Sequence, residues 1–382
     1  MTISGIPIPS FRVLVNSLMN KSINDLLWFN NKNGMSLYYF SKGTWALKKG
    51  IELLLDKNGI KNGKIFVPSY ICFEPLIPIK NDNINIHFYS INNDLSPNWE
   101  KLESFVQTKF IPDVFVLVHY FGFKNEIKRA TDFCKKYNIE LIQDAAHIFL
   151  PFEGLFNNIT IYSPRKFLPI PEGGILAIPK NIVANAGSTD IYRSDVFFMM
   201  KWILQISIKK LLIILKFSWR KIIDKYKKNS NDIYEDISKQ YPISFSIKLI
   251  KSLQSNFNQI VVKRRDNYKL LFNKLSKIDG IEILFPDLPS DVCPFMMPIL
   301  VFDNRDTILE HLKYNGIPAI SWPELPGEVL NNKSRYKNTI MLNENIILLP
   351  IHQDITRSNI IYMQDTLKKK LKSCETVNTV KN

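Results

Sequence analysis

Cysteine is scarce in this 382-residue chain. The four residues Cys72, Cys134, Cys293 and Cys374 are widely spaced, and none forms a Cys-x-x-Cys pair. That argues against a disulfide framework and against a zinc site, so no metal site is expected and reduced thiols in the cytoplasm are the simple reading. Long uncharged apolar runs are missing too. The most apolar stretch, residues 196–219, is broken by Lys201, Lys209, Lys210 and Lys216, so nothing reaches the roughly 18 residues a spanning helix needs. The first nine residues show no basic region followed by an apolar run, and no secretory signal is expected. Internal repeats and low-complexity segments are absent. Acidic residues are in deficit, 35 against 50 Lys plus Arg, for a net charge of +15. Aromatic residues are plentiful, with 25 Phe, 15 Tyr and 6 Trp. That excludes a solvated coil and supports a large core spread over about two or three domains.

The excess charge is local. Residues 201–228 hold nine basic residues against the single acid Asp224, which accounts for +8 of the +15. A nucleic-acid partner is not expected, because no helix-turn-helix, stacking platform or finger spacing accompanies the charge. The window fits one or two amphipathic helices. A polar stripe runs through Lys201, Gln205, Lys209, Lys216, Arg220, Asp224 and Lys227, with broadly apolar sides including Trp202, Ile206 and Leu211. Three uses are open: packing of the apolar face on the body or across a dimer, docking of 201–228 on an anionic membrane surface, or a lid that attracts a pyrophosphate-bearing substrate.

From residue 40 to 180 the pattern alternates in type. Helical spacing predicts helices over 44–55, 97–108 and 124–137. Short apolar runs predict strands over 64–67, 84–89, 114–119, 139–143, 160–162 and 174–178. Such alternation implies an α/β domain with a mostly parallel sheet covered on both faces, whose ligands bind at the carboxyl ends of the strands. The expected division is a cofactor-binding domain over 1–182, a helical basic insertion over 183–245 and a small C-terminal α/β domain over 246–382. In the last, a helix over 247–277 precedes strands near 281–284, 297–302 and 346–349 and a helix over 306–314, and a polar, frayed tail runs from Lys368.

Four features fall at strand ends or helix starts. Gly43-Thr44 precedes a helix, where it could cap the helix or bind an anion. Asp144 ends a strand and is followed by Ala145-Ala146-His147. It could hold a protonated ring nitrogen, bind a metal or cap a helix. Lys166 lies in a segment stiffened by Pro164, Pro169 and Pro171 and followed by Glu172-Gly-Gly174, a placement a Schiff-base lysine needs. His119 ends the run Val114–Val118, either touching a ligand or packed as a structural histidine.

In this order the four resemble the DegT/StrS-type sugar aminotransferases, which are fold-type I pyridoxal-phosphate enzymes. That family reads Ser-Gly-Thr-x-Ala-Leu, Val-Pro-Ser-(Tyr/Phe)-Thr-Phe, Val-His-x-x-Gly, Glu-Asp-Ala-Ala-Gln and Lys-Asn-Leu-x-x-Gly-Glu-Gly-Gly. Here stand Lys42-Gly-Thr-Trp-Ala-Leu47, Val67-Pro-Ser-Tyr-Ile-Cys72, Val118-His-Tyr-Phe-Gly122, Gln143-Asp-Ala-Ala-His147 and Lys166-Phe-Leu-Pro-Ile-Pro-Glu-Gly-Gly174. The resemblance is strong over about 40–180 and weaker beyond, at Arg265-Asp-Asn-Tyr268, Asn315-Gly-Ile317 and Leu349-Pro-Ile-His352. It implies a seven-stranded, mostly parallel sheet flanked by helices with a small C-terminal domain. It also implies pyridoxal 5′-phosphate as cofactor and a homodimer.

By the same resemblance, Lys166 is the Schiff-base lysine and proton shuttle, and Asp144 pairs with the pyridine nitrogen. Thr44 and the Trp45 backbone hold the phosphate, Gly43 beside them is cofactor-binding, and His147 contacts the phenolic oxygen. His119, Glu172 and His352 are candidates for the substrate side. Cys72 stands where the family places an aromatic ring over the cofactor, leaving Tyr70 or Phe73 to supply one. Ile161 stands where the family places a phosphate-binding serine, leaving Ser163 or Thr160 to compensate. The implied reaction is transfer of an amino group, with glutamate as donor, to a nucleotide-linked keto-sugar in surface polysaccharide or glycan synthesis. The expected place is the cytoplasm or the inner membrane surface. The alternatives are the same fold acting on a lipid-linked or non-sugar carbonyl compound or as a dehydratase, and a non-catalytic membrane-binding homologue.

Overall fold

The computed structural model describes residues 1–19, 34–80, 84–152, 154–180, 182, 196–215, 240, 242 and 244–379. Its principal helices are α1 (Phe11–Met19), α2 (Gly43–Lys57), α3 (Trp99–Thr108), α4 (Ile127–Tyr137), α5 (Val196–Ile214), α6 (Ser244–Leu253), α7 (Phe257–Leu275), α8 (Arg305–Tyr314), α9 (Lys337–Asn345) and α10 (Arg357–Thr379). The strands are β1 (Met35–Phe40), β2 (Lys64–Pro68), β3 (Asn85–Tyr89), β4 (Val114–Val118), β5 (Glu140–Ala145), β6 (Ile159–Tyr162), β7 (Gly174–Pro179), β8 (Glu282–Ile283), β9 (Met296–Leu300) and β10 (Ile346–Pro350).

Strands β1 to β7 form one sheet in the order β1-β7-β6-β5-β4-β2-β3. The pairings through β3, β2, β4, β5 and β6 are all parallel, while β7 runs antiparallel to both β6 and β1. The mostly parallel, seven-stranded expectation therefore holds. Its centre is apolar on both faces, as a helix-covered parallel sheet requires: every residue of Val114–Val118 is buried. Helix α2 lays Ala46, Leu47, Ile51 and Leu54 on this sheet, and α4 buries Ala130, Phe133 and Cys134. Asn138, in the left-handed region at φ 54°, ends α4 and turns the chain into β5.

A second sheet of three antiparallel strands, β10-β9-β8, lies in the C-terminal part. One apolar core joins the two sheets, and Phe123 stacks on Phe285 at 4.2 Å and 7° across the junction. The first residues of the chain also lie on the C-terminal part, where the Ile3 amide donates to the Gly316 carbonyl at 2.9 Å.

Three expectations are corrected. The helix foreseen over 247–277 is two helices, α6 and α7, broken by a 3-10 turn at Gln254–Asn256. The foreseen frayed tail is helical through Thr379, because Ile360, Met363, Leu367 and Leu371 follow helical spacing and are buried. Strand β1, which the alternation did not reveal, closes the edge of the main sheet. Within the basic window, residues 216–228 lie outside the described residues. No helix among the described residues is long and apolar enough to cross a membrane.

Candidate active site

The carboxyl ends of β4, β5 and β6 meet the start of α2 around a cavity of about 240 Å³. Register places Asp144 beside Val118 on one side and Ile161 on the other. Its Oδ1 accepts the Ala146 amide at 2.9 Å, a turn that aims the carboxylate without capping a helix. Lys166 ends the 3-10 turn Pro164–Lys166, where Pro164 sets the backbone and the Lys166 amide donates to the Ser163 carbonyl at 3.0 Å. Lys166 and Asp144 are walled in by protein, and both line the cavity. Burial pushes the Lys166 amine below the ordinary lysine range, opposed by Cys72 and Asp144. Burial likewise pushes the Asp144 carboxyl up, opposed by the Lys166 charge and the Ala146 amide. Each group thus favours the other's charged form.

Of the residues the sequence singled out, Gly43, Thr44, Tyr70, Cys72, His119, Asp144, His147, Ser163 and Lys166 all line this cavity. His147 Nδ1 accepts the Phe121 amide at 3.2 Å, so the ring proton is on Nε2. Burial keeps the imidazole neutral, and its ring is clamped between Phe121 and Phe295. At the other end, α2 presents its first amides, which have no intrahelical acceptor. The Thr44 hydroxyl makes no hydrogen bond to protein among the described residues. Gly174 lets β7 reach this helix start: a Cβ there would stand 2.2 Å from the Lys42 oxygen.

Other expectations are corrected. Thr160 does not substitute for the serine lost at Ile161, because its hydroxyl donates to the Leu155 carbonyl at 3.0 Å, away from the cavity. Ser163 lies beside Gly43, where a Cβ would be 3.6 Å from the Ser163 Cβ. Phe73 does not line the cavity, and Lys80 sits over its ring at 5.1 Å; the Trp45 amide belongs to the first turn of α2. His119 has both ring nitrogens occupied, by Gln143 at 3.1 Å and the Asn125 amide at 3.0 Å. Burial holds it neutral with a pKa near 4. It is a packed histidine. Glu172 is outside the cavity. His352 lines a different and larger one, with its nitrogens bonded to the Ser4 carbonyl at 2.8 Å and the Asp354 amide at 3.3 Å.

One lining residue escaped the sequence reading. Trp322 stacks on Tyr70 at 4.4 Å and 22°. The Tyr70 hydroxyl and Trp322 Nε1 are buried without a hydrogen-bond partner. The Ser-Trp-Pro context of Trp322 carries no signal that could have found it. Among the described residues, no group of three or more His, Cys, Asp or Glu is placed to hold a metal.

Residues 40–185 match the DegT/DnrJ/EryC1/StrS aminotransferase family. The match spans 146 of the 382 residues, and over this segment the chain is similar to that family. Aminotransferases of the DegT/DnrJ/EryC1/StrS family use pyridoxal 5′-phosphate, so the chain is an enzyme of the pyridoxal-phosphate-dependent aminotransferase class. Solved structures share the fold along the whole chain. A putative sugar aminotransferase from Streptococcus pneumoniae, in its PMP form, is 15% identical with a TM-score of 0.70, covering 99% of this chain and 100% of that one. A 3-amino-5-hydroxybenzoic acid synthase is 14% identical with a TM-score of 0.68, covering 98% and 100%. PseC of Helicobacter pylori, an aminotransferase of pseudoaminic acid biosynthesis, is 15% identical with a TM-score of 0.65, covering 97% and 98%. Among curated proteins none matches the chain by sequence.

The cavity's donors fit the family cofactor. It has a carboxylate for a ring nitrogen, an amine for a carbonyl carbon, an imidazole N–H for a phenolic oxygen, and helix amides with two hydroxyls for a phosphate. The unpartnered Tyr70 hydroxyl and Trp322 N–H lie in the residues that form its wall.

Proposed function

We propose that this protein transfers the amino group of glutamate to a nucleotide-linked keto-sugar for surface polysaccharide or glycan synthesis. The observation that carries this reading is the position of Lys166, which lines both the 240 Å³ cavity and a second one of about 1,030 Å³. One amine thus serves a site of cofactor size and a much larger site, of the size that takes a sizeable organic ligand.

Pyridoxal phosphate, when bound, supplies a carbonyl and an electron-withdrawing ring through which an amino group can be passed. Lys166 Nζ would hold that carbonyl carbon and is the base placed to move a proton beside it. The lowered basicity of Lys166 keeps a larger share of the amine unprotonated than a surface lysine would have. Asp144 would hold the proton on the ring nitrogen. His147 Nε2–H would donate to the phenolic oxygen. Thr44, Ser163 and the α2 amides would bind the phosphate, and the stacked Tyr70 and Trp322 would supply the aromatic wall that Cys72 does not.

The division of the chain at about 182 and 245, a cytoplasmic location and a homodimer belong to the same proposal. The dimer is supported by apolar residues left outside on α1 and α5, among them Phe11 (78% exposed), Phe197 (78%) and Leu204 (61%). Sedimentation of the purified chain at micromolar concentration should show a dimer. Monomers that float with anionic vesicles would assign that apolar face to a membrane instead.

The catalytic reading is tested with the full chain reconstituted with pyridoxal phosphate. Borohydride should fix the cofactor on Lys166, and glutamate should yield 2-oxoglutarate. Aminated product should then follow from one of a panel of nucleotide-linked keto-sugars. Equal fixation in Lys166→Ala would refute the assignment of the lysine, and failure of every keto-sugar would refute the substrate.

A further inference from the structure

Helix α7 carries a cation where its core-facing stripe calls for an aliphatic residue. Phe257, Ile260, Tyr268, Leu271 and Leu275 recur at helical spacing and are buried, and Arg264 stands among them at 1% exposure. Arg264 forms no ion pair among the described residues. Burial pushes its guanidinium down to about 10, opposed by Cys293 and Asp354. A buried charge without an ion pair is costly, and persists only where hydrogen bonds replace its water.

Here all three nitrogens bond to neutral acceptors from three separate segments. Nε donates to Gln353 Oε1 at 3.1 Å, Nη1 to the Phe295 carbonyl at 2.9 Å and the Pro294 carbonyl at 3.3 Å, and Nη2 to the Phe167 carbonyl at 3.4 Å. Phe167 is the residue after Lys166, and Gln353 Nε2 donates to the same Phe167 oxygen at 3.1 Å. Arg264, Gln353 and Phe167 thus close a ring of hydrogen bonds at the Lys166 turn. Asn267, on the same helix, holds the turn that presents Gln353: its Nδ2 reaches the carbonyls of Ile351, His352 and Ile355 at 3.3, 3.0 and 3.3 Å. A second branch leads to His147. Phe295, whose carbonyl Arg264 binds, lays its ring on His147 at 4.8 Å and 20°, and Lys166 Nζ lies 5.9 Å from the same ring.

We infer, on the reading of Lys166 as the amine that holds the cofactor carbonyl, that Arg264 is a positioning residue which registers the Lys166 turn against the His147 imidazole. The turn's own hydrogen bonds are local: the Lys166 amide donates to Ser163 at 3.0 Å, and the Phe167 and Leu168 amides both donate to Pro164 at 2.9 Å. Such bonds shape a turn without fixing where it stands. The bonds to Arg264 and Gln353 tie it to the C-terminal part. A lysine at 264 brings the charge with a single point of attachment, and a glutamine reaches fewer segments. Only a guanidinium presents five donors in one fixed plane.

Full-length variants test this. In the cofactor-free protein, hydrogen–deuterium exchange of a peptide spanning residues 163–170 should speed up about tenfold or more in Arg264→Gln. At saturating pyridoxal phosphate, borohydride fixation on Lys166 should slow about tenfold or more. Release of 2-oxoglutarate in a single turnover with glutamate should slow about a hundredfold, as for a reacting group displaced by about 1 Å. Arg264→Lys should recover little of these losses, because the fork is required and not the charge alone. Gln353→Met keeps the side-chain length and removes the other donor to the Phe167 carbonyl. It carries the same expectation, at about tenfold, should Arg264→Gln fail to fold. Arg305→Gln is the control. The Arg305 guanidinium also binds backbone carbonyls, those of Glu344 at 2.6 Å and Asn343 at 3.2 Å, and it lines neither cavity. Its loss should lower the melting point and leave exchange at 163–170 and fixation as in the parent.

Parent-like exchange and fixation in Arg264→Gln and Gln353→Met would overturn the positioning role. So would equal losses in Arg305→Gln, which would make the effect one of global stability. Faster exchange without slower fixation also overturns it, because the turn would then be held without consequence for the amine. A parent that borohydride does not fix on Lys166, with exchange that still depends on Arg264, removes the cofactor reading and keeps the pinned turn. Fixation in the parent, with exchange and fixation independent of Arg264, does the reverse.

Discussion

The contact between Gly174 and the start of α2 is tight enough to make one methyl group decisive. A Cβ at Gly174 would lie 2.2 Å from the Lys42 oxygen, 2.3 Å from its carbonyl carbon and 2.6 Å from the Gly43 nitrogen. Real Cβ contacts essentially never fall below 3.0 Å. The Gly174→Ala chain must therefore open by about 0.8 Å or more, and the obstructing atoms are all backbone, which no rotamer change relieves. Overpacking of this kind costs about 1–3 kcal/mol. For a chain of this length that corresponds to a melting point lowered by roughly 1–4 °C. The larger effect is local. Lys42 and Gly43 carry the helix start proposed to hold phosphate, and a displacement near 1 Å in a positioning element can cost about a hundredfold. Pyridoxal-phosphate affinity, followed by cofactor absorbance on titration of the apoprotein, should fall at least tenfold. Gly327→Ala is the control, because nothing lies within 4 Å of a Cβ there; its affinity and melting point should match the parent's. A Gly174→Ala protein with the parent's cofactor affinity and melting point would refute the steric argument.

Other expectations are as direct. Because Asp144 opposes the fall of the Lys166 pKa, the pH at which apoprotein begins to take up pyridoxal phosphate rapidly should move lower in Asp144→Ala; a move upward would contradict the coupling. His119 and His352 are held neutral with pKa values near 4 and 3, whereas the unfolded chain protonates them below about 6.5. Stability should therefore fall as pH drops from about 6.5 to about 4, by about 1.4 kcal/mol per pH unit for each. Urea unfolding of His352→Asn across that range should show a shallower slope. Trp322→Ala removes a ring stacked on Tyr70 and buried to 7% exposure. It should cost about 3 kcal/mol or more in urea unfolding and weaken cofactor binding, and Trp322→Phe should restore most of both.

Much of the main sheet was legible because a helix-covered parallel strand is written as an unbroken apolar run, as in Val114–Val118. The lysine and aspartate could be placed because each ends or follows such a run. Strand β1 was not legible. Met35–Phe40 owes its form to pairing with β7, a partner well over a hundred residues later in the chain. The break between α6 and α7 falls at Gln254-Ser-Asn256, which contains neither proline nor glycine to announce it. Trp322 reaches the cavity only through the docking of the C-terminal part on Tyr70. The sequence leaves helix α5 open between packing, membrane docking and a lid; it packs Ile206, Trp202 and Ile203 on the core while Lys209 of its polar stripe lines a cavity. His119 could be read either as ligand or as packing, and its two satisfied nitrogens decide for packing.

The antiparallel edge formed by β1 and β7 also orders events in time. Phe40 pairs with Gly174, so the residues just before α2 find their sheet partner only after 134 more have been made. Closing so long a loop is entropically expensive and slow relative to local pairing. A nascent chain that has emerged as far as Lys166 already contains the lysine, the aspartate and the helix that flanks them. It still lacks the strand that fixes where that helix begins. Cofactor capture is therefore a late event in the folding of this protein, and a chain truncated before Pro179 should carry the reactive amine without a place to seat a phosphate.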